Sequence, residues 1–413
     1  MPFANIIGIL VILGIAYALS ENRKAINVKS AGRTLGLQFA IALLILAVPG
    51  SPAVMDKIST GVTQVIEYAN EGTSFVFGPL ADPANGFILF TQVFPIIIFI
   101  ATVFAILFHL RIMDLIIKTL GGAVRWVTGA SRLESTVASA SIFIGMVEAP
   151  LAVLPYLKKM SRSQLFTVMS CGLASIAGTV LIAYTAIGVR LDLLLTASFM
   201  AAPGGLLMGK LLVPETGEPY DITSFKDAQS DEDRASNVIE AATKGALTGL
   251  QIMMSVIALI IAFVAVIALI NAIFSMVGGW FGYPEFSLEV VFGVLFAPIA
   301  WLIGVPWDEA FRAGPFLGQK LVANEFLAYL NFTKVMGEFS QQGQIAITIA
   351  LCGFANFVGV GMLMAGLGAV VPERQKEISN LAMKSLLAGT LSNFMSAAIV
   401  GIAIAIAGLI GTA

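Results

Sequence analysis

Long apolar runs separated by short polar loops set the pattern of this chain. The hydrocarbon core of a bilayer, about 30 Å thick, takes about 20 predominantly apolar residues as an α-helix. Runs at 3–20, 34–49, 86–110, 164–186, 192–213, 247–275, 345–367 and 381–410 meet that requirement and predict eight crossings. Segment 54–69 is amphipathic and too polar to span, which predicts a helix lying in the interface. Two further apolar segments, 134–158 and 288–335, are interrupted by Gly, Pro and acidic residues at membrane depth. Irregular backbone there is tolerated only inside protein or beside a water-filled cavity, so both read as broken helices or re-entrant hairpins. Paired interruptions in two halves of a chain point to a transporter's binding site.

A short repeat strengthens the pairing. Cys171-Gly172-Leu173-Ala174-Ser175-Ile176-Ala177-Gly178 aligns with Cys352-Gly353-Phe354-Ala355-Asn356-Phe357-Val358-Gly359, and each copy follows an interrupted segment carrying an acid, Glu148 or Glu325. The implied unit is a hairpin followed by a broken helix. The 21–33 loop holds Arg23, Lys24, Lys29 and Arg33, and the positive-inside bias puts it in the cytoplasm. Lys158, Lys159 and Arg162 then mark the first hairpin as opening from the same side. Eight crossings return both termini to the periplasmic face. The 214–245 linker, with Asp221, Asp227, Asp231, Glu232 and Asp233, reads as a polar loop.

Composition agrees with a lipid solvent. Of 413 residues, 58% are hydrophobic and 12% charged, with a mean hydropathy of +0.92; water-soluble proteins carry about 25% charged residues. A net charge of −2 offers no basic surface for nucleic acid. Cys171 and Cys352 sit in apolar stretches unsuited to a disulfide framework, and His109 cannot build a zinc cluster alone. No cofactor is expected. The run from Pro2 to Ser20 lacks a basic leader and reads as a retained span.

A carboxylate at membrane depth costs roughly 2.5–3.5 kcal/mol on insertion scales, so Glu148 and Glu325 need compensation or a use. In Ile144-Gly145-Met146-Val147-Glu148-Ala149-Pro150-Leu151, Gly145 permits a tight tip and Pro150 suits the first turn of a following half-helix. An acid there can accept hydrogen bonds from a hydroxylated solute or neutralise a cation. The structural alternative is a first-turn acid stabilised by the helix dipole.

Three motifs carry a resemblance. Gly318-Gln319-Lys320-Leu321-Val322-Ala323-Asn324-Glu325-Phe326-Leu327-Ala328-Tyr329 resembles the GxKxxxNEFVAY signature of concentrative nucleoside transporters, with Leu327 in place of Val. Cys352-Gly353-Phe354-Ala355-Asn356-Phe357 is similar to that family's CGFAN segment, and Gly145 to Leu151 to its GQTEAPL hairpin tip. The likeness extends over the chain, including Pro203-Gly204-Gly205 and Gly278-Gly279-Trp280-Phe281-Gly282. It implies an all-α polytopic membrane protein with eight transmembrane helices, two re-entrant hairpins and an interfacial helix, assembled as a homotrimer in the cell inner membrane. It implies cation-coupled nucleoside uptake by an elevator movement. The scaffold would comprise 1–130 and the linker with span six at 215–283; the transport domain would comprise 131–214 and 284–413.

The resemblance also implies a site. The base of a nucleoside would meet Gly145, Met146, Val147 and Glu148, with Val180 lining it; the ribose would meet Glu325, Asn356 and Gly359, near Phe354. The family's Gln and Thr at the tip are here Met146 and Val147, and its FANxSS serines are Val358 and Gly359. A ligand donor or acceptor left buried and unpaired costs about 1–3 kcal/mol, so these departures point to a different or less polar base, or to a different polar solute. The family's sodium positions fall on Ser141, Ile144, Ser175 and Ile176. Proton-coupled members carry Ser at the first of these, which points to H+ rather than Na+, with Glu148 or Glu325 as the proton carrier.

Among lesser candidates, Lys320 offsets a carboxylate or snorkels, His109 sits at an interface, and Asp308, Glu309 and Arg312 solvate a turn after Pro306. A channel should show polar stripes along several helices, and an intramembrane hydrolase should show a nucleophile–base pair or an HExxH motif. Neither pattern is present in the sequence.

Overall fold

The computed structural model describes residues 2–82, 84, 86–222 and 235–410. Asp227, Asp231, Glu232 and Asp233 of the linker lie outside the described residues. In chain order the α-helices are α1 (Pro2–Ala18), α2 (Val28–Leu46), α3 (Ser51–Phe77), α4 (Leu89–Gln92), α5 (Phe94–His109), α6 (Ile112–Thr128), α7 (Arg132–Ala140), α8 (Arg162–Ala174) and α9 (Gly178–Ala186). They continue as α10 (Leu191–Leu212), α11 (Val238–Trp280), α12 (Leu288–Leu302), α13 (Trp307–Val322), α14 (Glu325–Val335), α15 (Gln341–Leu351), α16 (Phe357–Val370) and α17 (Gln375–Ile410).

Among the described residues, six helical stretches are long and apolar enough to cross a bilayer, and Phe3–Ala18 and Phe357–Val370 are shorter apolar helices. Each of the eight sequence-predicted spans overlaps one of these stretches, the expected 345–367 only in its second half. Two of the spans are broken. The expected 164–186 divides into α8 and α9, and the expected 345–367 into α15 and α16. The interruption of 288–335 is double: α12 and α13 meet at 117°, and a second break at 323–324 separates α13 from α14.

The segment expected in the interface, 54–69, belongs to a longer helix, the 27 residues of α3. A second amphipathic helix, α6, is absent from the sequence reading; Met113, Ile117, Gly121, Val124 and Thr128 form its buried face at steps of three and four. Arg111, at φ +60°, turns the chain between α5 and α6.

Starts of helices follow side-chain chemistry. Ser131 and Ser161 each build a capping box, with Glu134 and Gln164 respectively. Asn324, Ser340 and Asn356 cap α14, α15 and α16. Helices α8, α10 and α17 form the centre of the bundle. At the α8–α10 crossing, a Cβ on Gly205 would lie 2.7 Å from the Cα of Cys171, so backbone approaches backbone as small residues allow in membranes.

The two hairpins open at opposite ends of α1, which is about 25 Å long. At one end, Glu21 pairs with Arg162 and Lys384, each at 3.0 Å, and Lys158 with Glu373 at 2.7 Å. Arg162 beside it holds the Glu21 carboxyl below the usual range. Here the first hairpin has its base, where buried Glu134 pairs with Lys210 at 2.6 Å. At the other end, a Cβ on Gly304 would lie 2.7 Å from Oδ1 of Asn5. There Glu309 departs from its sequence-based role. It is 7% exposed, and its carboxylate accepts from the Ser340 amide (2.8 Å) and hydroxyl (3.1 Å), fastening the start of α15 to α13 instead of solvating a turn. Asp308 and Arg312 are exposed, as expected.

Candidate functional site

The two broken spans cross at their breaks. The Phe354 amide, in the 352–356 break, donates to the Ser175 carbonyl, in the 175–177 break, at 3.0 Å. A broken helix leaves carbonyls without intrahelical partners, and in a low-dielectric interior each must be satisfied. Nδ2 of Asn393, on α17, donates to the Ala174 carbonyl at 2.7 Å. Nζ of Lys320, on α13, donates to the Ala350 carbonyl and to Oδ1 of Asn393, both at 2.7 Å. Lys320 is 3% exposed, so it does not snorkel; its ammonium serves the end of α15. Gly353 fits between, since a Cβ there would lie 2.5 Å from Oδ1 of Asn393 and 2.6 Å from the Ala174 oxygen.

Glu325 is the first residue of α14 and is 4% exposed. Its Oε1 accepts from the Tyr184 hydroxyl at 2.8 Å and its Oε2 from Nδ2 of Asn356 at 2.9 Å. Oδ1 of Asn356 accepts from the Gly359 amide at 2.6 Å, which caps α16. Three half-helices, α9, α14 and α16, are thus joined through one carboxylate. A carboxylate has about four lone-pair positions, and these side-chain donors fill two of them. The Tyr184 ring is fully buried, with ring centroids 4.8 Å from Tyr329 and 5.4 Å from Phe326.

The first hairpin's tip packs differently. The Ile142 carbonyl accepts from Ser198 at 3.1 Å and the Phe143 carbonyl from the Gly178 amide at 3.0 Å, seating the tip on α10 and the start of α9. Met146 is 4% exposed, and its Cβ would lie 3.1 Å from a Cβ on Gly172. Val147 lies against Gly366 of α16. Glu148 folds back over Gly145 and is exposed; its carboxylate has neither an ion pair nor a hydrogen bond among the described residues.

The structure therefore brings Glu325, Asn356 and Gly359 together and sets Phe354 beside Ser175. Val180 is buried on α9, one turn before Tyr184. Among the described residues no hydrogen bond joins the two acids: Glu325 is enclosed by Tyr184 and Asn356, and Glu148 is exposed at the tip. The expectation that both acids lie buried in their hairpins holds for Glu325 alone.

Of the four cation positions, Ser141, Ser175 and Ile176 are buried and Ile144 is half-buried. The Ser141 hydroxyl donates to the Val137 carbonyl at 2.8 Å and that of Ser175 to the Gly172 carbonyl at 3.1 Å. The carbonyls of Ile144 and Ile176 accept no hydrogen bond among the described residues. Among those residues, no group of three His, Cys, Asp or Glu side chains could hold a metal ion.

Sequence reasoning missed Tyr184 and Asn393. For Asn393 a signal existed: Ser392, Asn393 and Ser396 interrupt a 36-residue, largely apolar helix, and a buried amide demands partners.

Two hairpin and broken-helix units, open at opposite ends around a buried acid, form the architecture of a membrane transport protein. Family descriptions match residues 193–401 as the C-terminus of a Na+ dependent nucleoside transporter, 7–80 as its N-terminus, and 90–190 as a nucleoside recognition gate. The chain belongs to the concentrative, Na+ dependent nucleoside transporter family. It is 42% identical to the putative nucleoside permease NupX of Escherichia coli (strain K12), over 98% of this chain and 99% of that one. It is 41% identical to the nucleoside permease NupC of Helicobacter pylori, over 96% and 97%. The transporter CNTnw, solved in an inward-facing substrate-bound state, is 42% identical, with a TM-score of 0.93 over 100% of this chain and 99% of that one.

Proposed function

We propose that this protein takes up nucleosides or nucleoside-like glycosides by coupling them to a cation gradient across the cell inner membrane. The observation that carries the reading is Glu325, buried and aimed by two fixed donors, with acceptor positions left for the hydroxyls of a sugar. The basic residues around 21–33 and 158–162 support a cytoplasmic placement for that end and periplasmic termini. Segments 131–214 and 284–413 would move as the transport domain against a scaffold of 1–130 and 215–283 within a homotrimer. Ser141, standing where the family's sodium site has Asn, supports proton coupling, with Glu148 or Glu325 as the acid that would carry the proton.

Uptake of labelled uridine and adenosine into proteoliposomes, under a proton or a sodium gradient, tests this reading. Saturable accumulation under a proton gradient alone is expected. Accumulation only with sodium would replace the coupling ion, and no nucleoside accumulation under either gradient would overturn the function.

A second reading, transport of a different polar solute, is favoured by the tip. Met146 and Val147 pack against Gly172 and Gly366 and offer no polar group to a base. Met146→Gln with Val147→Thr is expected to shift preference several-fold towards standard nucleosides, at about 1–3 kcal/mol per restored hydrogen bond. Competition of labelled uridine uptake by a nucleoside panel measures it; an unchanged order of preference would show that these positions do not read the base.

A further inference from the structure

The residues that follow α10 fold back instead of running free. Residues 216–219 are exposed, but Glu215 before them and Tyr220 and Asp221 after them return to the base of the first hairpin. Oε2 of Glu215 accepts from the Ser161 hydroxyl at 2.7 Å. Tyr220 pairs with the Gln164 side chain in both directions: its amide donates to Oε1 at 3.1 Å, and its carbonyl accepts from Nε2 at 2.7 Å. The same Nε2 donates to the Ser131 hydroxyl at 3.0 Å. Ser131 and Ser161 cap α7 and α8, so one glutamine ties together the start of the hairpin's first leg, the helix after its second leg, and the linker.

Asp221 completes the join. The first four amides of an α-helix lack intrahelical acceptors. Ser131 and Glu134 satisfy two amides at the start of α7 between themselves. Oδ1 of Asp221, 89 positions away, accepts from the Arg132 amide at 3.0 Å and from the Ile222 amide at 2.9 Å. Its Oδ2 accepts from Arg125, on α6, at 3.0 Å. The second leg ends at Lys159, whose ammonium lies 5.7 Å from the centre of the Tyr220 ring. Both legs and α6 thus meet on two consecutive residues of the linker. A hinge at this base would separate those groups, with a penalty for each one left buried and unpaired.

We propose that 215–222 is a clasp that keeps the base of the first hairpin shut, with Asp221 as its positioning residue, so that the hairpin moves as one body with α8 and α10. The clasp acts at the end opposite the tip, which the Ile142 and Phe143 carbonyls already seat on α10 and α9. It assigns Asp221 no contact with the cargo and holds whichever solute is carried.

The experiment follows hydrogen exchange by mass spectrometry in the purified full-length protein, with wild type, Asp221→Leu, Asp221→Asn and Arg125→Gln. Leucine removes both acceptors; asparagine keeps Oδ1 for the Arg132 amide and gives up the charge. In Asp221→Leu, exchange across 131–140 and 155–165 should quicken at least about tenfold, while the second hairpin, 307–335, stays as in wild type. Asp221→Asn should recover most of the protection, leaving a gain of about threefold. Arg125→Gln should change exchange by less than about twofold, because an ion pair whose side chains are 38% and 33% exposed contributes little. Uptake of labelled uridine reads the effect on transport. In Asp221→Leu the maximal rate should fall about fivefold or more with KM within about twofold of wild type, since the moving body is loosened and the binding site is untouched.

Unchanged exchange across 131–140 and 155–165 in Asp221→Leu, an equal rise in 307–335, or an effect of Arg125→Gln as large as that of Asp221→Leu overturns the clasp. So does a raised KM for uridine at an unaltered maximal rate. Should Asp221→Leu fail to fold, Asp221→Asn carries the test on the same segments, where no gain at all overturns the assignment. Wild-type protein that takes up no uridine overturns the nucleoside reading instead, and the exchange measurement then decides the clasp alone.

Discussion

Glu325→Ala is expected to abolish gradient-driven accumulation of uridine while the protein still inserts and assembles. On the proposed function the carboxylate would accept two cargo hydroxyls, and hydrogen bonds to a charged group contribute about 1.5–3 kcal/mol each. Losing both amounts to a weakening of more than about 100-fold, beyond what raised substrate concentration restores in an ordinary assay. The truncation also leaves the Tyr184 hydroxyl and the Asn356 amide without their partner, so the melting temperature should fall somewhat. Glu325→Gln, which keeps the shape and one acceptor, should retain weak binding. Size-exclusion profiles and proteoliposome uptake of the three proteins distinguish loss of site from loss of fold. Wild-type uptake by Glu325→Ala would refute the assignment.

Asn393→Leu should damage the fold more than any other single change at the crossing of the broken spans. It removes the donor to the Ala174 carbonyl and the acceptor of the Lys320 ammonium together. Removing an acceptor from a buried charge costs about 1.5–3 kcal/mol, and the orphaned carbonyl adds about 1–3. Lys320→Met leaves two neutral acceptors unpaired, Ala350 and Asn393, and should be milder. The double variant Asn393→Leu with Lys320→Met has no under-satisfied buried charge, and its melting temperature should exceed that of Asn393→Leu alone. Strictly additive losses across the four proteins would mean that the two side chains are energetically independent.

Much of this architecture was legible in the sequence because membranes constrain it heavily. Apolar runs of about 20 residues fixed where the chain crosses, and Gly, Pro and acid at membrane depth marked both hairpins. The Cys171 and Cys352 repeat marked the two crossing breaks, and the NEF segment marked Glu325. What escaped was of two kinds. Helix α6 carries Arg111, Asp114, Lys118 and Arg125 in or beside it, so no long apolar run survives, although Met113, Ile117 and Val124 keep a helical period. The other losses were pairings. Asn393 and Ala174 are 219 positions apart, and Tyr184 and Glu325 141 apart; local pattern has no bearing on partners at that range. Glu148 and Glu309 were misjudged for the same reason. Each looked alike in its local context, and the tertiary surroundings left one in the open and enclosed the other.

Asn356 links recognition to the protein's internal order. Its amide nitrogen holds the acid, and its oxygen holds the first turn of α16 through Gly359. A molecule that draws Glu325 aside therefore pulls on the same planar group that keeps that turn wound. On the proposed function, a bound sugar would be felt as tension or slack in a helix that two turns further on touches Val147 through Gly366. The tip of one hairpin would in this way be tied to the acid of the other through Asn356 and α16 alone.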